Sequence, residues 1–312
     1  MHRIDGPGAT VDGLFTEGNP AAGVPATVVT AAWMNDIQEE LLTVLSSGGV
    51  VPVKGVQDQL LRAIRTVSTG AVGTATNLKM TVPTASASAT ITADQVVVGA
   101  SLGGQAYRLS SYSKTINLAT TGPGGMDAGT APANGYVALY AIYNPATGAS
   151  NILATNATLA IMPPVYGAAP YPAGYTASAL LAVVPTNGSL QFKTCVVKDR
   201  TVYTVLNTAS TGNSNVSLAP ISLASCVPPN AKEVFGEMQL AISSAASITM
   251  TIVADSTLVG QQNISCVSGS AGGGVTVNYA NVVLTVPQTI SMVTNTSGAA
   301  HSWTVYVTGY KI

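Results

Sequence analysis

Charge is what this chain has least of. Its 312 residues include 12 lysines and arginines, 13 acids and 2 histidines, and 8% of the chain is charged, against about 25% in ordinary globular domains. A net charge of −1 leaves no basic footprint for nucleic acid, so no nucleic-acid partner is expected. Aromatic residues make up only 5%, so the position of each bears on core or contact. The three cysteines, Cys195, Cys226 and Cys266, are odd in number and have no metal-ligand spacing. They are expected as free, buried thiols of a protein assembled in a reducing cytoplasm. His2 and His301 are solitary, whereas a metal site needs co-ligands at short spacing. No metal and no cofactor are expected, since phosphate-loop and zinc-protease motifs are absent too. No run approaches the ~18 uncharged apolar residues of a spanning helix, so no membrane insertion is expected. Met1-His2-Arg3 leads straight to Asp5, without the apolar stretch of a secretory leader.

What is present is apolar bulk with little charge to shield it. Hydrophobic residues make up 47% of the 312, enough for a large core and for two or three domains. The charge is also uneven. Residues 1–70 hold 11 of the charged side chains, and the much longer stretch 71–312 holds 14. A monomer so poor in charge has little protection against association. Either its skin is built from Ser, Thr, Asn and Gly, or part of that skin is buried between identical chains. Both are expected here, and the chain is read as an obligate homo-oligomer. The alternative is a soluble monomer with a neutral polar skin.

The first 30 residues contain Gly6, Pro7, Gly8, Gly13, Gly18, Pro20, Gly23 and Pro25, which break helix and strand alike. This segment is expected to be extended and to need a partner for order. Thr30 suits an N-cap. Trp33, Ile37, Leu41, Val44 and Leu45 then recur at helical spacing up to a stop at Gly48-Gly49, which predicts a helix over 31–47. Val56, Leu60, Ile64 and Val67 mark a second amphipathic helix. Helices this short are marginal alone, so their apolar stripes must dock on each other, on sister chains or on a host structure. Residues 71–90, rich in Ser, Thr, Ala and Gly, read as a linker or neck in which strand resumes at Ala89. Strand signals dominate from there on. Tyr136 to Tyr143 is bounded by Asn134-Gly135 and Asn144-Pro145. Ala179 to Val184 and Leu190 to Val197 flank Asn187-Gly188, a turn whose residues both tolerate positive φ. A domain boundary is expected between 204 and 205. Beyond it, six short strands from Glu233 to Ile312 predict a β-sandwich or jelly-roll-like unit.

Gly99-Ala100-Ser101-Leu102-Gly103 matches the nucleophile-elbow pattern, which requires a strand before the serine and a helix after it. The following residues lead into a Ser/Thr-rich β-like run, so a turn between strands is the better reading. Carboxylates are scarce: beyond residue 70 the acids are Asp94, Asp127, Asp199, Glu233, Glu237 and Asp255. Glu233 and Glu237 share a strand face but lie about 13 Å apart at ~3.3 Å per residue, beyond the ~5–9.5 Å of glycosidase pairs. No catalytic residue is assigned, and the chain is not expected to be an enzyme. Near the C-terminus Trp303 alternates with Val305 and Val307, which predicts a core position. Tyr306 and Tyr310 fall on the opposite face, expected as an intersubunit or outer surface.

The opening, Met-His-Arg-Ile-Asp at 1–5, continues through Gly-Pro-Gly-Ala at 6–9 and Leu-Phe-Thr-Glu-Gly at 14–18. With the run to Thr30 and two helices around Pro52-Val53-Lys54-Gly55, it closely resembles the N-terminal segment of tail fibre proteins from tailed phages and prophages of Gram-negative bacteria. Segments near Met126, at 134–144 and at 172–180 resemble shaft or head domains of such fibres. The resemblance implies a mainly β protein. A short N-terminal helical attachment segment would precede β-sandwich or jelly-roll-like domains, intertwined as a homotrimer. Residues 1–70 would attach to tail-tip or baseplate proteins of the virion, with 71–90 a linker, 91–204 a β shaft or head, and 205–312 a distal receptor-binding β-sandwich. Attachment would fall to Arg3, Asp5, Phe15, Trp33, Ile37, Leu41, Leu60 and Ile64. Contact with a bacterial surface receptor, lipopolysaccharide or a pilus, is expected at Asn263, Ser268, Gly272, Tyr279, Asn295 and His301. The alternatives are a tail-associated glycan esterase or depolymerase, with Ser101 as one candidate nucleophile, and a baseplate component that touches no receptor.

Overall fold

The computed structural model describes residues 2–67, 70–167, 171–269, 272–297 and 300–312. It divides into two compact units, residues 1–70 with 105–107, and residues 71–104 with 108–312.

In the first unit, α1 spans Ala31–Ser47, as its spacing predicts, and Thr30 caps it by accepting from the Trp33 amide. Gly48 ends it, and Gly49 turns the chain at φ +64°. A second helix, α2, spans Gln59–Val67. The two meet through a very small core of Leu45, Val50 and Ala63. Gly48 lies so close to α2 that a Cβ on it would sit 2.5 Å from the Ala63 Cα. The Gly/Pro-rich segment before α1 is not extended as expected. It folds back on itself, with Thr27 N donating to Thr16 O and Val28 N to Pro7 O. A short 3-10 turn at Pro20–Ala22, capped by Asn19, makes the reversal.

The second unit is antiparallel β. Its first strands are β1 (Ala75–Thr76), β2 (Lys79–Val82), β3 (Ser88–Gly99) and β4 (Ala106–Asn117). Then come β5 (Tyr136–Asn144), β6 (Ala149–Asn156), β7 (Ala177–Pro185), β8 (Cys195–Lys198), β9 (Thr201–Gly212) and β10 (Val216–Ser222). The last six are β11 (Glu233–Ile242), β12 (Ala246–Val253), β13 (Gln262–Ser268), β14 (Gly273–Val283), β15 (Thr289–Thr296) and β16 (His301–Lys311). One sheet runs in the order β14-β11-β16-β9-β8-β2-β3-β7-β5-β6, with β1 and β4 also paired to β3. A smaller sheet runs β10-β15-β12-β13. Its strands pack on β11, β14 and β9 of the large one. Ile248, Met250, Ile252, Ile290 and Met292 from the small sheet, and Met238, Leu240, Trp303, Val305 and Val307 from the large one, are buried between them. This is the sandwich that the C-terminal strand spacing predicts. At the other end, β5 and β7 are buried on both faces, which explains their nearly unbroken apolar runs.

Two expectations about organisation need correction. Residues 71–90 are not a linker: β2 is hydrogen-bonded between β3 and β8, and Leu78, Met80 and Val82 are buried. The Ser/Thr-rich composition reflects only the exposed alternate positions. Nor does the chain divide between 204 and 205. Strand β9 runs across that point, pairing with β8 through Thr201 to Thr204 and with β16 along its length. One sheet therefore joins the proximal strands to the sandwich.

Candidate functional site

The expected attachment residues separate into two groups. Arg3, Asp5, Phe15 and Trp33 knit the first unit together. The Arg3 guanidinium donates to Asp12 O at 2.7 Å. The Phe15 and Trp33 rings meet edge to face at 5.0 Å, and the Trp33 indole N–H donates to His2 O at 3.2 Å. His2 lies 2.8 Å from Asp36 and 3.4 Å from Asp5. The hydrogen bond with Asp36, and then that with Asp5, raises the His2 pKa above its ordinary value. The second group faces outward. Leu41, Leu60 and Ile64 are exposed and Ile37 is half-buried, beside exposed Met34, Leu61 and Val67. Of the 17 residues of α1, only Leu45 is buried.

The expected receptor residues also fall into groups. Three turns converge at one end of the sandwich, joining β11 to β12, β13 to β14 and β15 to β16. The registers place Ile242 opposite both His301 and Gly273, and Ala246 opposite Ser268. Ser268, Gly272 and His301 therefore meet at this tip. The Ser268 hydroxyl donates to Gly272 O at 3.0 Å, and Gly272 needs its freedom, with φ at +101°. Residues 270–271 and 298–299 of these turns lie outside the described residues. Asn263 and Asn295 are not at the tip. They stand on the outer face of the small sheet, opposite Thr251 and Thr249 respectively. Thr251 Oγ1 donates to Asn263 Oδ1 at 2.5 Å, and Gln261 donates to the same oxygen at 3.1 Å. With Ser265, in register with Thr249, these side chains form a flat, uncharged ladder of hydroxyls and amides. Sequence reasoning missed Thr249, Thr251 and Ser265. The signal for Thr249 and Thr251 was the strict polar alternation of Ser-Ile-Thr-Met-Thr-Ile at 247–252, and that for Ser265 the alternation of Asn-Ile-Ser-Cys at 263–266.

Tyr279 requires a correction, because it is buried rather than displayed. The register of β14 slips opposite Val234 and Gly236, and a bulge of this kind changes which face a side chain takes. Tyr279 reaches past Gly236, and its hydroxyl donates to Tyr306 O at 2.8 Å. Tyr310 is likewise core, not outer surface: it is fully buried and donates to Val183 O at 2.7 Å. Trp303 is buried, as its alternation predicts.

Ser101 sits in a turn between β3 and β4, with Gly104 N donating to Ser101 O. A strand follows it where an elbow requires a helix. Several carboxylates are committed to structural bonds: Asp94 accepts from Asn77, Asp127 from Tyr166, Asp255 from Thr257, and Glu233 from Lys311 at 2.6 Å. The three thiols are free and buried, as expected. Among the described residues no cluster of three His, Cys, Asp or Glu side chains could hold a metal ion, and no helix is long and apolar enough to cross a membrane.

No family model matches this chain. A stretch of 71 residues, 21% of the chain, is 42% identical to the uncharacterized protein StfP of Escherichia coli strain K12. The match spans about a third of that relative's length, 34%.

Proposed function

We propose that this protein is a tail fibre of a tailed phage or prophage of Gram-negative bacteria. In this reading residues 1–70 anchor it to the tail tip or baseplate, three chains assemble side by side, and the sandwich touches the host surface. Lipopolysaccharide or a pilus is the receptor class. The protein is made in the host cytoplasm and resides in the virion. It works by adhesion, with no catalytic centre of its own.

The observation that carries the reading is the contrast between the two units. The first is small, with scarcely any core and most of its large apolar side chains exposed, as suits a segment that is completed by partners. The second is a well-packed β body whose sandwich ends in a turn cluster and a neutral polar ladder. The partial likeness to StfP supports the same reading. Weak contacts repeated three times per fibre and over several fibres would gain avidity through linkage.

The test is adsorption by particles that carry the full chain. Triple substitution of the ladder, Thr249→Lys, Ser265→Lys and Asn295→Lys, adds charge to an exposed face without entering the core. Adsorption to host cells is expected to fall at least about tenfold while particles still assemble. Unchanged adsorption by this variant and by a second one altered at Ser268 and His301 would refute the receptor role of the sandwich.

A further inference from the structure

Antiparallel pairing sets a row of side chains across the large sheet, on the face opposite to buried Val202, Val234 and Met238. Thr92 of β3 stands opposite Lys79 of β2, and Lys79 opposite Lys198 of β8. Lys198 stands opposite Thr201 of β9, Thr201 opposite Lys311 of β16, and Lys311 opposite Glu233 of β11. At a strand spacing of ~4.8 Å, three lysines fall within about 14 Å of one another. Lys311 is satisfied: it donates to Glu233 at 2.6 Å and to Asn281 Oδ1 at 3.0 Å. Lys79 and Lys198 are not, since no carboxylate among the described residues lies within ion-pair distance of either. Of the other acids near the row, Asp94 is held by Asn77, and Glu237 lies four residues beyond Glu233 on β11. Like charges directly opposite each other destabilise a sheet. A pair of this kind, in a chain with so few charges, marks a place where local stability yields to function.

A second row runs two positions along the same strands, through Thr81, Val196, Tyr203, Gly309 and Phe235. The Tyr203 and Phe235 rings meet over Gly309, with centroids 5.4 Å apart and planes tilted by 57°. Gly309 is what admits them, because a Cβ there would strike the Phe235 ring. Tyr203 is 46% exposed. Such a ring offers an apolar face for the C–H side of a sugar and a polar tip for its hydroxyls.

We infer that this face binds an anionic polysaccharide. A sugar ring lies against Tyr203 and Phe235, and the carboxylate or phosphate groups of the polymer take Lys79 and Lys198. The aromatic pair alone would suit any sugar, and the lysines select an acidic one through charge complementarity. This surface is separate from the neutral ladder of the small sheet, and its ligand does not depend on the fibre reading.

The experiment is calorimetric titration of the full-length chain. The probes are polygalacturonate, a phosphorylated lipopolysaccharide core oligosaccharide, the same oligosaccharide after phosphatase treatment, and neutral dextran. Binding of polygalacturonate identifies carboxylates as the group recognised, and binding of the oligosaccharide that phosphatase removes identifies phosphates; either supports the inference. Lys79→Gln with Lys198→Gln is expected to weaken binding at least about tenfold and to flatten its salt dependence. Tyr203→Ala is expected to weaken it by a similar factor with the salt dependence kept, and Tyr203→Phe to restore it. Lys54→Gln with Arg62→Gln removes the same charge from exposed positions of the first unit and is expected to leave binding unchanged, which an effect of net charge would not do. Failure to bind either anionic glycan would overturn the inference, as would equal binding of dextran or equal losses from the two charge-removing pairs. Tighter binding of single-stranded DNA would overturn it in favour of nucleic acid. A wild-type oligomer that binds no glycan and falls apart in Tyr203→Ala would overturn it in favour of a second copy of the chain.

Discussion

Tyr310→Phe asks whether the proximal strands and the sandwich stand or fall together. The Tyr310 ring ends β16 and is fully buried, and its hydroxyl donates to Val183 O of β7 at 2.7 Å. The bond joins residues 127 positions apart, one on each side of the expected boundary. Phenylalanine keeps the ring and its apolar burial and removes the donor alone. The cost is about 1 kcal/mol for the bond plus part of the ~1–3 kcal/mol for a carbonyl left short of a partner, or about 1–2 kcal/mol in total. For a unit of this size, each kcal/mol moves the melting temperature by about 2–4 °C, so a fall of roughly 2–8 °C is expected. Differential scanning calorimetry should show one transition for the β unit in both proteins, shifted as a whole in the variant. Tyr306→Phe is the control. Its hydroxyl lies 3.2 Å from Gln239 Oε1 on a partly exposed face, and its loss is expected to cost less than ~0.5 kcal/mol. Two separated β transitions in the wild type, or wild-type melting of Tyr310→Phe, would refute the continuity argued from β9 and Tyr310.

Other consequences follow from single contacts. Burial pushes the Cys195 thiol up to about 12 and raises Cys226 as well, so at pH 8 both stay protonated; Ellman's reagent should find neither Cys195 nor Cys226 in the folded chain and three thiols after denaturation. Gly48→Ala would drive a methyl group into Ala63 and part the helices; an expected local loss of about 1–3 kcal/mol would appear as faster amide exchange in α1 and α2 with the β melt unchanged. His2 has a raised pKa in the folded chain, so its contribution is complete below about 6.5, the unfolded value, and is lost as pH rises through the folded one. NMR titration of His2 should give a midpoint above 6.5 that Asp36→Asn lowers, because Asp36 is the main cause of the shift.

Helix α1 was legible in full because everything that makes it is local: a threonine cap, apolar residues at helical spacing and two glycines at the end. The strands β5, β7 and β11 to β16 were legible for the same reason, since alternation and turn residues lie next to each other in the chain, whereas β2, β6, β9 and β10 were not. The turn after β7 was placed well but its chemistry was not. Leu190, rather than Asn187 or Gly188, takes the positive φ, at +63°, while the Asn187 side chain accepts from the Ser189 and Gln191 amides. Misplaced boundaries came from reading composition as organisation. The stretch 71–90 looks like a linker because half of its residues face water, and only a partner strand distant in sequence makes Met80 and Val82 core. Strand β9 likewise looks like the start of something new, because the charged Lys198-Asp199-Arg200 gives way there to Ser, Thr and Asn.

The site was legible only where it depends on turns. Ser268, Gly272 and His301 flank turns, and antiparallel pairing gathers alternate turns at one end of a sandwich, so their meeting follows from strand order. Tyr310 failed because face assignment by alternation assumes an unbroken register, and Tyr279, expected at the receptor surface from the resemblance, is buried beside a slip of the same kind. In β14 and β16 the register slips beside glycines that have no room for a side chain: a Cβ on Gly236 would strike Tyr306 O, and one on Gly309 would strike the Phe235 ring. Beside Gly236 the Tyr279 ring reaches the core, whereas the Phe235 ring that covers Gly309 stays half-buried. The same argument applies to the missing charge. Outward positions of β12 and β13 carry Thr249, Thr251, Asn263 and Ser265, with exposed Val267 as the apolar exception, and the Thr251 and Asn263 side chains satisfy one another. A face built this way needs no ions to be wetted, and it presents a partner with donors and acceptors at the regular spacing of a sheet. Low charge on the sandwich and exposed apolar stripes on the helices are therefore two different devices: hydroxyls and amides wet the first without ions, and the second leaves large apolar side chains uncovered within the chain.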